Sequence, residues 1–498
     1  MKNQINLSSI KNTKPIALYS SEQLYAMEQS WFAEGYDSFG LMKQAAWQMA
    51  QHIELLDEKK PLNPYSTASI YTTSRHMCQH RVSIWVGKGN NGGDGWLIAY
   101  YLQQIGWQVE VVTVGFESDD FDISDTTELS DAKKALQVAL SAHCSYRPFE
   151  SSAYDINKGI DSNLQADVYV DALFGIGLNR APTGIYQTAV STFNMLSERN
   201  NTLAIAVDIP SGLVASTGEV FDHLAVQADI TLCLIARKFG LHTKDGIDYS
   251  GKVIDIPLIP YQVNDQRFMP VAKLIANAYG LYPRRQNSYK GSYGHVLIIG
   301  GNRIDGSQGM GGAAILSASS SMAAGAGKIT VACHDAFHSA LLTSLPDAMT
   351  INLHDVDGVK QLIKSATVIA IGMGLGRDEK AKVLFIKYLQ AAMEEKKSLV
   401  IDADGLYHLA SLQLERHDLA SQLREYSINH QVRLTPHSGE AARLLDKNII
   451  EVESDRLQAI KECATTYGGE WVLKGAGSLI LEQNLDQREV YVCAVGNA

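Results

Sequence analysis

The chain has 498 residues, 46% of them hydrophobic and 19% charged, with 43 basic against 54 acidic side chains and a formal charge of −11. That length exceeds what one core organises, so two large domains are expected, and the apolar share excludes a disordered chain. The acidic balance argues against a nucleic-acid partner, which needs basic surface to displace phosphate counterions, and no apolar run reaches the roughly 18 residues of a membrane span.

The N-terminus lacks the contiguous apolar core of a signal peptide. Six cysteines stand far apart with no CxxC pair, which predicts reduced, buried thiols rather than disulfides or zinc, and a cytoplasmic protein. Short apolar runs ending in Gly or Asp alternate with longer stretches of helical spacing, the pattern of parallel sheets covered by helices. In the first half the strands are predicted at residues 82–86, 109–114, 168–170, 203–207 and 230–234. In the second half they fall at 295–299, 328–332, 367–371, 398–401, 432–434 and 471–473. Between the halves, residues 255–286 carry Pro257, Pro260, Pro270 and Pro283 around a helix-like stretch at 271–279, as a connector would. The boundaries drawn are 1–258, a connector at 259–285, and 286–498. The acidic segment 117–131 reads as a solvated loop.

The predicted strand VSIWV runs into Gly87-Lys88-Gly89-Asn90-Asn91-Gly92-Gly93-Asp94-Gly95 and then a helical run. Gly87, Gly89 and Gly92 fit GxGxxG, where glycines let backbone approach phosphate at a helix N-terminus, or simply make a tight strand-to-helix turn. The acidic residue that a dinucleotide-binding dehydrogenase wants at the end of its second strand is missing. Asn91, Asp171 and Ser211 are hard oxygen donors just past three predicted strands. If they converge, they suit a hard monovalent or divalent cation, although each alone is equally a cap or turn former. Asp208 ends an apolar strand before Ile209-Pro210-Ser211-Gly212, and a partly desolvated carboxylate there can exchange a proton with a ligand.

GNNGGDG, with LMKQAA (residues 41–46), DALFGIGLNRA (171–181), VDIPSG (207–212) and ARKFGL (236–241), resembles the NAD(P)HX epimerase family over roughly residues 20–257. Gln44 and Ala46 depart from its commoner Asn and Gly. The resemblance implies a Rossmann-like, doubly wound sheet that binds NAD(P)HX through Asn90, Asn91, Gly92, Gly93 and Asp94. It also implies contacts from Gly175, Ile176, Gly177, Leu178, Asn179, Arg180 and Ala181 to the diphosphate, Asp208 as substrate-binding and catalytic residue, and K+ on Asn91, Asp171 and Ser211.

The second half carries Lys290-Gly291-Ser292-Tyr293-Gly294, a small-residue helix at 309–327, GMGLG (372–376), IDADGL (401–406), LTPHSGE (434–440) and LKGAGS (473–478). In this order they resemble the ADP- or ATP-dependent NAD(P)HX dehydratase family, with Met373 and Tyr289 replacing its usual proline and histidine. This implies a ribokinase-like α/β domain in which Ala313, Gly374 and His437 contact the hydrate. Lys474, Gly475, Ala476, Gly477 and Ser478 would line ADP or ATP with its Mg2+. Competing readings are a binding module in the first half and a small-molecule kinase in the second. The small-molecule substrate and adenine nucleotide are the partners expected, with no nucleic acid or membrane, and a homo-oligomer is compatible.

The family's GxGD motif, whose Asp activates the hydroxyl, does not occur after Lys474. The dehydratase domain is therefore expected to be incomplete, truncated at the C-terminus. The 498-residue polypeptide is expected to interconvert the R and S hydrates without ADP- or ATP-driven recovery of NADH. Dihydronicotinamide absorbance checks this, and robust nucleotide-dependent recovery would overturn it.

Overall fold

The computed structural model describes residues 14–57, 80–122, 129–151, 165–200, 202–260, 266–275, 284–303, 309–483 and 488–495. They form two compact units that divide at 274/275, inside the segment expected to be a connector.

The first unit runs β1 (Ile16–Tyr19), α1 (Ser21–Ala33), α2 (Ser38–Asp57), β2 (Arg81–Val86), α3 (Asn90–Gln104), β3 (Gln108–Thr113), α4 (Asp131–Ser141) and β4 (Ser145–Pro148). It continues through β5 (Val168–Ala172), α5 (Ile185–Asn200), β6 (Leu203–Val207), β7 (Ile230–Leu234), β8 (Arg237–Lys238), α6 (Gly246–Tyr249), β9 (Lys252–Ile256) and β10 (Ala272–Leu274). Seven strands make a parallel sheet in the order β4-β3-β2-β5-β6-β7-β9, and β1 pairs separately with β10 and β8. Alternating residues feed two cores: Ile84 and Val86 join Leu97 and Val170 on one face, while Trp85 and Tyr169 join Phe193 on the other. This two-sided burial is why Val168, Tyr169 and Val170 of β5 stand in a row without a polar alternate. The chain order reverses between β2 and β5, so the loops after those strands part and leave a crevice at their C-terminal ends.

Two expectations need correction. The helix-like stretch at 271–279 is a strand at Ala272–Leu274 where described, because its alternating side chains pair antiparallel with β1. The glycine segment is no loop before a helix: α3 begins at Asn90, so Gly92, Gly93 and Gly95 lie in its first turns. The glycines serve close approach. A Cβ on Gly92 would stand 1.8 Å from the Gly87 carbonyl oxygen, and one on Gly95 would stand 2.7 Å from Val86 and Ala172 side chains.

The second unit contains β11 (His295–Ile299), α7 (Gly311–Ala323), β12 (Lys328–Cys333), α8 (His338–Ser344), β13 (Met349–Asn352), α9 (Val356–Ser365), β14 (Val368–Ile371), α10 (Glu379–Glu394) and β15 (Ser398–Ile401). After these come α11 (Asp404–Leu414), α12 (Asp418–Tyr426), β16 (Val432–Leu434), α13 (Ser438–Leu445), α14 (Ile449–Ser454), α15 (Arg456–Tyr467), β17 (Glu470–Leu473), β18 (Ser478–Gln483) and β19 (Arg488–Cys493). The order β13-β12-β11-β14-β15-β16-β17 is parallel, and β18 and β19 continue it antiparallel. Its order reverses between β11 and β14. Among the described residues no helix is long and apolar enough to cross a membrane. Cys144, Cys233, Cys333 and Cys463 are free and buried, Cys493 is half-exposed, and Cys78 lies outside the described residues.

Candidate active site

A cavity of about 580 Å³ opens at the first unit's reversal point. Asn90, Asn91 and Asp94 of α3, residues 173–180 after β5, Asp208 after β6, and Leu234, Ile235 and Lys238 line it with Leu24, Tyr25 and Glu28 of α1. Of the residues singled out in the sequence, Asn90, Asn91, Asp94, Gly175, Ile176, Gly177, Leu178, Asn179, Arg180 and Asp208 thus come together. Gly92 and Gly93 do not line the cavity: the first packs on Gly87 and the second on Met42 and Ala132. Ala181 is also outside the lining.

Asp208 has a left-handed backbone, φ 67°. This turn lets its Oδ1 accept hydrogen bonds from the Leu234 N–H at 3.0 Å and from the Lys238 ammonium. Lys238, 1% exposed, also donates to the Leu234 carbonyl at 2.8 Å and to Cys233 Sγ at 3.4 Å, so its three protons are all engaged. Burial, together with the Asp208 carboxylate, pushes the Glu28 carboxyl up to about 7 against the pull of Lys238. Asp94, buried and facing Asp208 and Glu28, is held well above the usual carboxylate range.

Asn91, Asp171 and Ser211 meet around Phe174. Asn91 Nδ2 donates to the Phe174 carbonyl at 2.8 Å, and Ser211 Oγ accepts from the Phe174 N–H at 2.8 Å while donating to Asp171 Oδ1 at 2.7 Å. The Ser211 N–H donates to Asp171 Oδ2 at 2.7 Å, and the Leu173 N–H to Oδ1 at 3.2 Å. Burial still raises the fully enclosed Asp171 carboxyl to about 6, against these hydrogen bonds. One carboxylate among neutral oxygens suits a cation of low charge.

In the second unit, Ala313 lies in the first turn of α7, and Gly374 abuts Met310 at that helix's N-cap with φ 69°. His437 caps α13, its Nδ1 accepting from the Gly439 N–H at 3.0 Å, which makes it the helix cap that a lone strand-end histidine would be. It stands beside Lys474, whose N–H donates to the Pro436 carbonyl at 2.8 Å and whose ammonium reaches Asp402 at 2.8 Å. The loop from Lys474 to Ser478 is gripped by Arg456, which donates to the carbonyls of Leu473, Lys474, Ala476 and Gly477 at 2.6–3.3 Å. In trans peptides the N–H lies opposite the carbonyl, so the Gly475 and Gly477 amides point away from the guanidinium.

Lys238, Glu28, Tyr25, Tyr186 and Arg456 were not singled out in the sequence. Lys238 falls inside ARKFGL, quoted only as a motif. Arg456 does carry a local signal: a cation in the first turn of a helix opposes the macrodipole and needs another reason to be there.

These features define a two-domain α/β enzyme whose first-domain site lies where strand order reverses, while in the second domain Asp402, His437 and Lys474 follow β15, β16 and β17. Residues 38–240 match the model described as YjeF-related protein N-terminus, and residues 296–498 that of NAD(P)H-hydrate dehydratase. The chain is 33% identical over 420 residues to the bifunctional NAD(P)H-hydrate repair enzyme Nnr of Coxiella burnetii, an alignment covering 84% of this chain and 76% of that protein. For the enzyme of the same name from Escherichia coli the identity is 33% over 419 residues, covering 83% and 71%. Among solved structures, an ADP/ATP-dependent NAD(P)H-hydrate dehydratase from Bacillus subtilis aligns at 22% identity and a TM-score of 0.33, covering 44% of this chain and 69% of that one. The chain belongs to the family of bifunctional NAD(P)H-hydrate repair enzymes.

Replacing Arg456 by Met leaves four carbonyls without their donor and is expected to cost about 2–3 kcal/mol. Thermal denaturation of the variant checks this, and an unchanged second-domain transition would mean the loop holds itself.

Proposed function

We propose that the first domain's cavity takes the nicotinamide end of R- or S-NAD(P)HX and interconverts the two epimers at C6. The observation that carries this reading is Asp208, with Oδ1 tied to Lys238 and Leu234 while its carboxylate lines the cavity beside residues 175–180. Those residues would hold the diphosphate, with Arg180 as its cation. The carboxylate takes or returns the proton that the C6 hydroxyl needs. Potassium fits the oxygens of Asp171, Ser211, the Phe174 carbonyl and Asn91, whose amide need only turn over. The ion would supply the counter-charge that enclosed Asp171 lacks and fix the start of the diphosphate segment.

For the second domain we infer the hydrate and nucleotide sites of S-NAD(P)HX dehydration, with Ala313, Gly374 and His437 against the hydrate; turnover also needs the GxGD aspartate, which is not found after Lys474. ADP or ATP, with Mg2+ on its phosphates, would lie over Lys474, Gly475, Ala476, Gly477 and Ser478. The outward amides of the loop and the half-exposed ammonium of Lys474 support this, as both are donors suited to phosphate. The buried free thiols favour a reducing compartment such as the cytoplasm.

Asp208→Asn is expected to slow interconversion by at least about 100-fold. It also strands the buried Lys238 charge, so a stability loss of about 3 kcal/mol accompanies it and rates must be read well below the variant's Tm. Chromatography of the two hydrates checks the rate, and unchanged interconversion would remove Asp208 from the chemistry. Exchanging potassium for tetramethylammonium is expected to lower the first domain's Tm by linkage. Identical melting curves in both salts would argue against a cation at Asp171.

A further inference from the structure

The face of α1 made by Leu24, Tyr25 and Glu28 lines the cavity, and spacings of three and four residues place these side chains on one side of the helix. The helix is fixed against the segment that follows Asp208. Its Ser21 N–H and hydroxyl bond Ser216 Oγ at 3.0 and 2.8 Å, and Ser20 closes a capping box with Gln23. Glu28 is therefore held in the same cavity as Asp208 by a helix anchored at its N-terminal end. The charged and titratable groups in its surroundings are Asp208, Asp94, Lys238 and Tyr25, with Lys88, Arg180 and Tyr186 also lining the cavity. Lys238 has no proton to spare for it, since all three are engaged.

We propose that Glu28 is a second catalytic residue of the epimerase site, the acid that works with Asp208 as base across the two faces of the hydrated ring. This rests on the reading of the cavity as the epimerase site. Epimerisation at C6 needs a proton delivered on one face and removed on the other. The Glu28 carboxyl gives its proton to the C6 hydroxyl, and the C6–O bond breaks with its electron pair leaving on water. The N1 lone pair closes to a C6=N1 iminium cation. Water adds to C6 from the opposite face, and the Asp208 carboxylate takes the proton it sheds. The proton then sits on Asp208, ready for the reverse reaction or for return to Glu28, and nothing is oxidised or reduced. Lys238, one of three cations in the lining, is fully paired, and Glu28 becomes a carboxylate as it gives up its proton, so a counter-charge for the cationic intermediate forms with it. Burial raises the Glu28 carboxyl to about 7, which suits it to the acid's role, while Asp208 is ion-paired with Lys238.

The test is the pH profile of interconversion in the full chain with Glu28→Gln, Glu28→Asp and Asp208→Asn. In the parent the rate should hold below the raised Glu28 pKa and fall as pH rises through about 7, because the acid must be protonated. Glu28→Gln should lower kcat about 100-fold with KM little changed and abolish that limb, while Glu28→Asp should restore a limb and part of the rate. A Gln variant with parental kcat and profile overturns the inference. If Gln prevents folding, parental kcat and an unmoved limb in the Asp variant overturn it equally. Full activity in Asp208→Asn would instead overturn the assignment of the cavity itself, so the two failures are distinguishable.

Discussion

The ion pair between Lys238 and Asp208 constrains most of the first domain. An ammonium this deeply buried survives only if a counter-charge meets it, since stripping either ion of water costs several kcal/mol. Meeting it requires Asp208 to leave β6 in a left-handed conformation that a non-glycine residue adopts at a cost. It also requires the two-residue strand β8, which presents Lys238 inward and pairs with β1 immediately before α1. The strained turn, the minimal strand and the helix carrying Glu28 therefore stand or fall together.

The two domains answer a similar architectural problem with different electrostatics. Each gathers polar residues past the ends of parallel strands, and each sets a lysine against an aspartate: Lys238 on Asp208 in the first, and Lys474 on Asp402, after β17 and β15, in the second. In the first the lysine is enclosed and its protons are committed, so it can hold a carboxylate but cannot exchange it for a ligand. In the second the Lys474 side chain is 41% exposed and its Asp402 partner 26% exposed. Such a pair is weak. Lys474 is therefore far less committed to its partner than Lys238 is.

Much of this was legible before the coordinates. Strands at 203–207, 230–234, 295–299, 398–401 and 432–434 fall where their apolar runs predict them, because strands buried on both faces need no alternation to be seen. β4 and β9 escaped because edge strands carry polar residues such as Ser145, Arg147, Lys252 and Asp255 on their open sides. Asn91, Asp171 and Ser211, whose meeting the sequence left as a condition, do come together, Asp171 from within β5 rather than past its end. Glu28 was not legible. It is one acid in a helix ahead of the sheet, and the packing of Leu24 and Met27 with the docking of Ser21 on Ser216 brings it into the cavity that Asp208 lines. Likewise the glycines of GNNGGDG read equally as a phosphate approach or a tight turn, and Gly92 and Gly95 serve the packing of α3 on β2 and β5.

The grip of Arg456 on the loop from Lys474 to Ser478 has an evolutionary reading. The guanidinium holds main-chain carbonyls, which every residue type supplies, and it comes from a helix that precedes the loop in the chain. The loop's shape is thus encoded outside the loop. Its residue at 476 can drift without disturbing the curve of the backbone. Gly475 cannot, since a Cβ there would stand 2.7 Å from the guanidinium. Divergence in what such a domain binds is therefore free to proceed through the loop's own side chains, while the arginine and that one glycine are the pair that must change together.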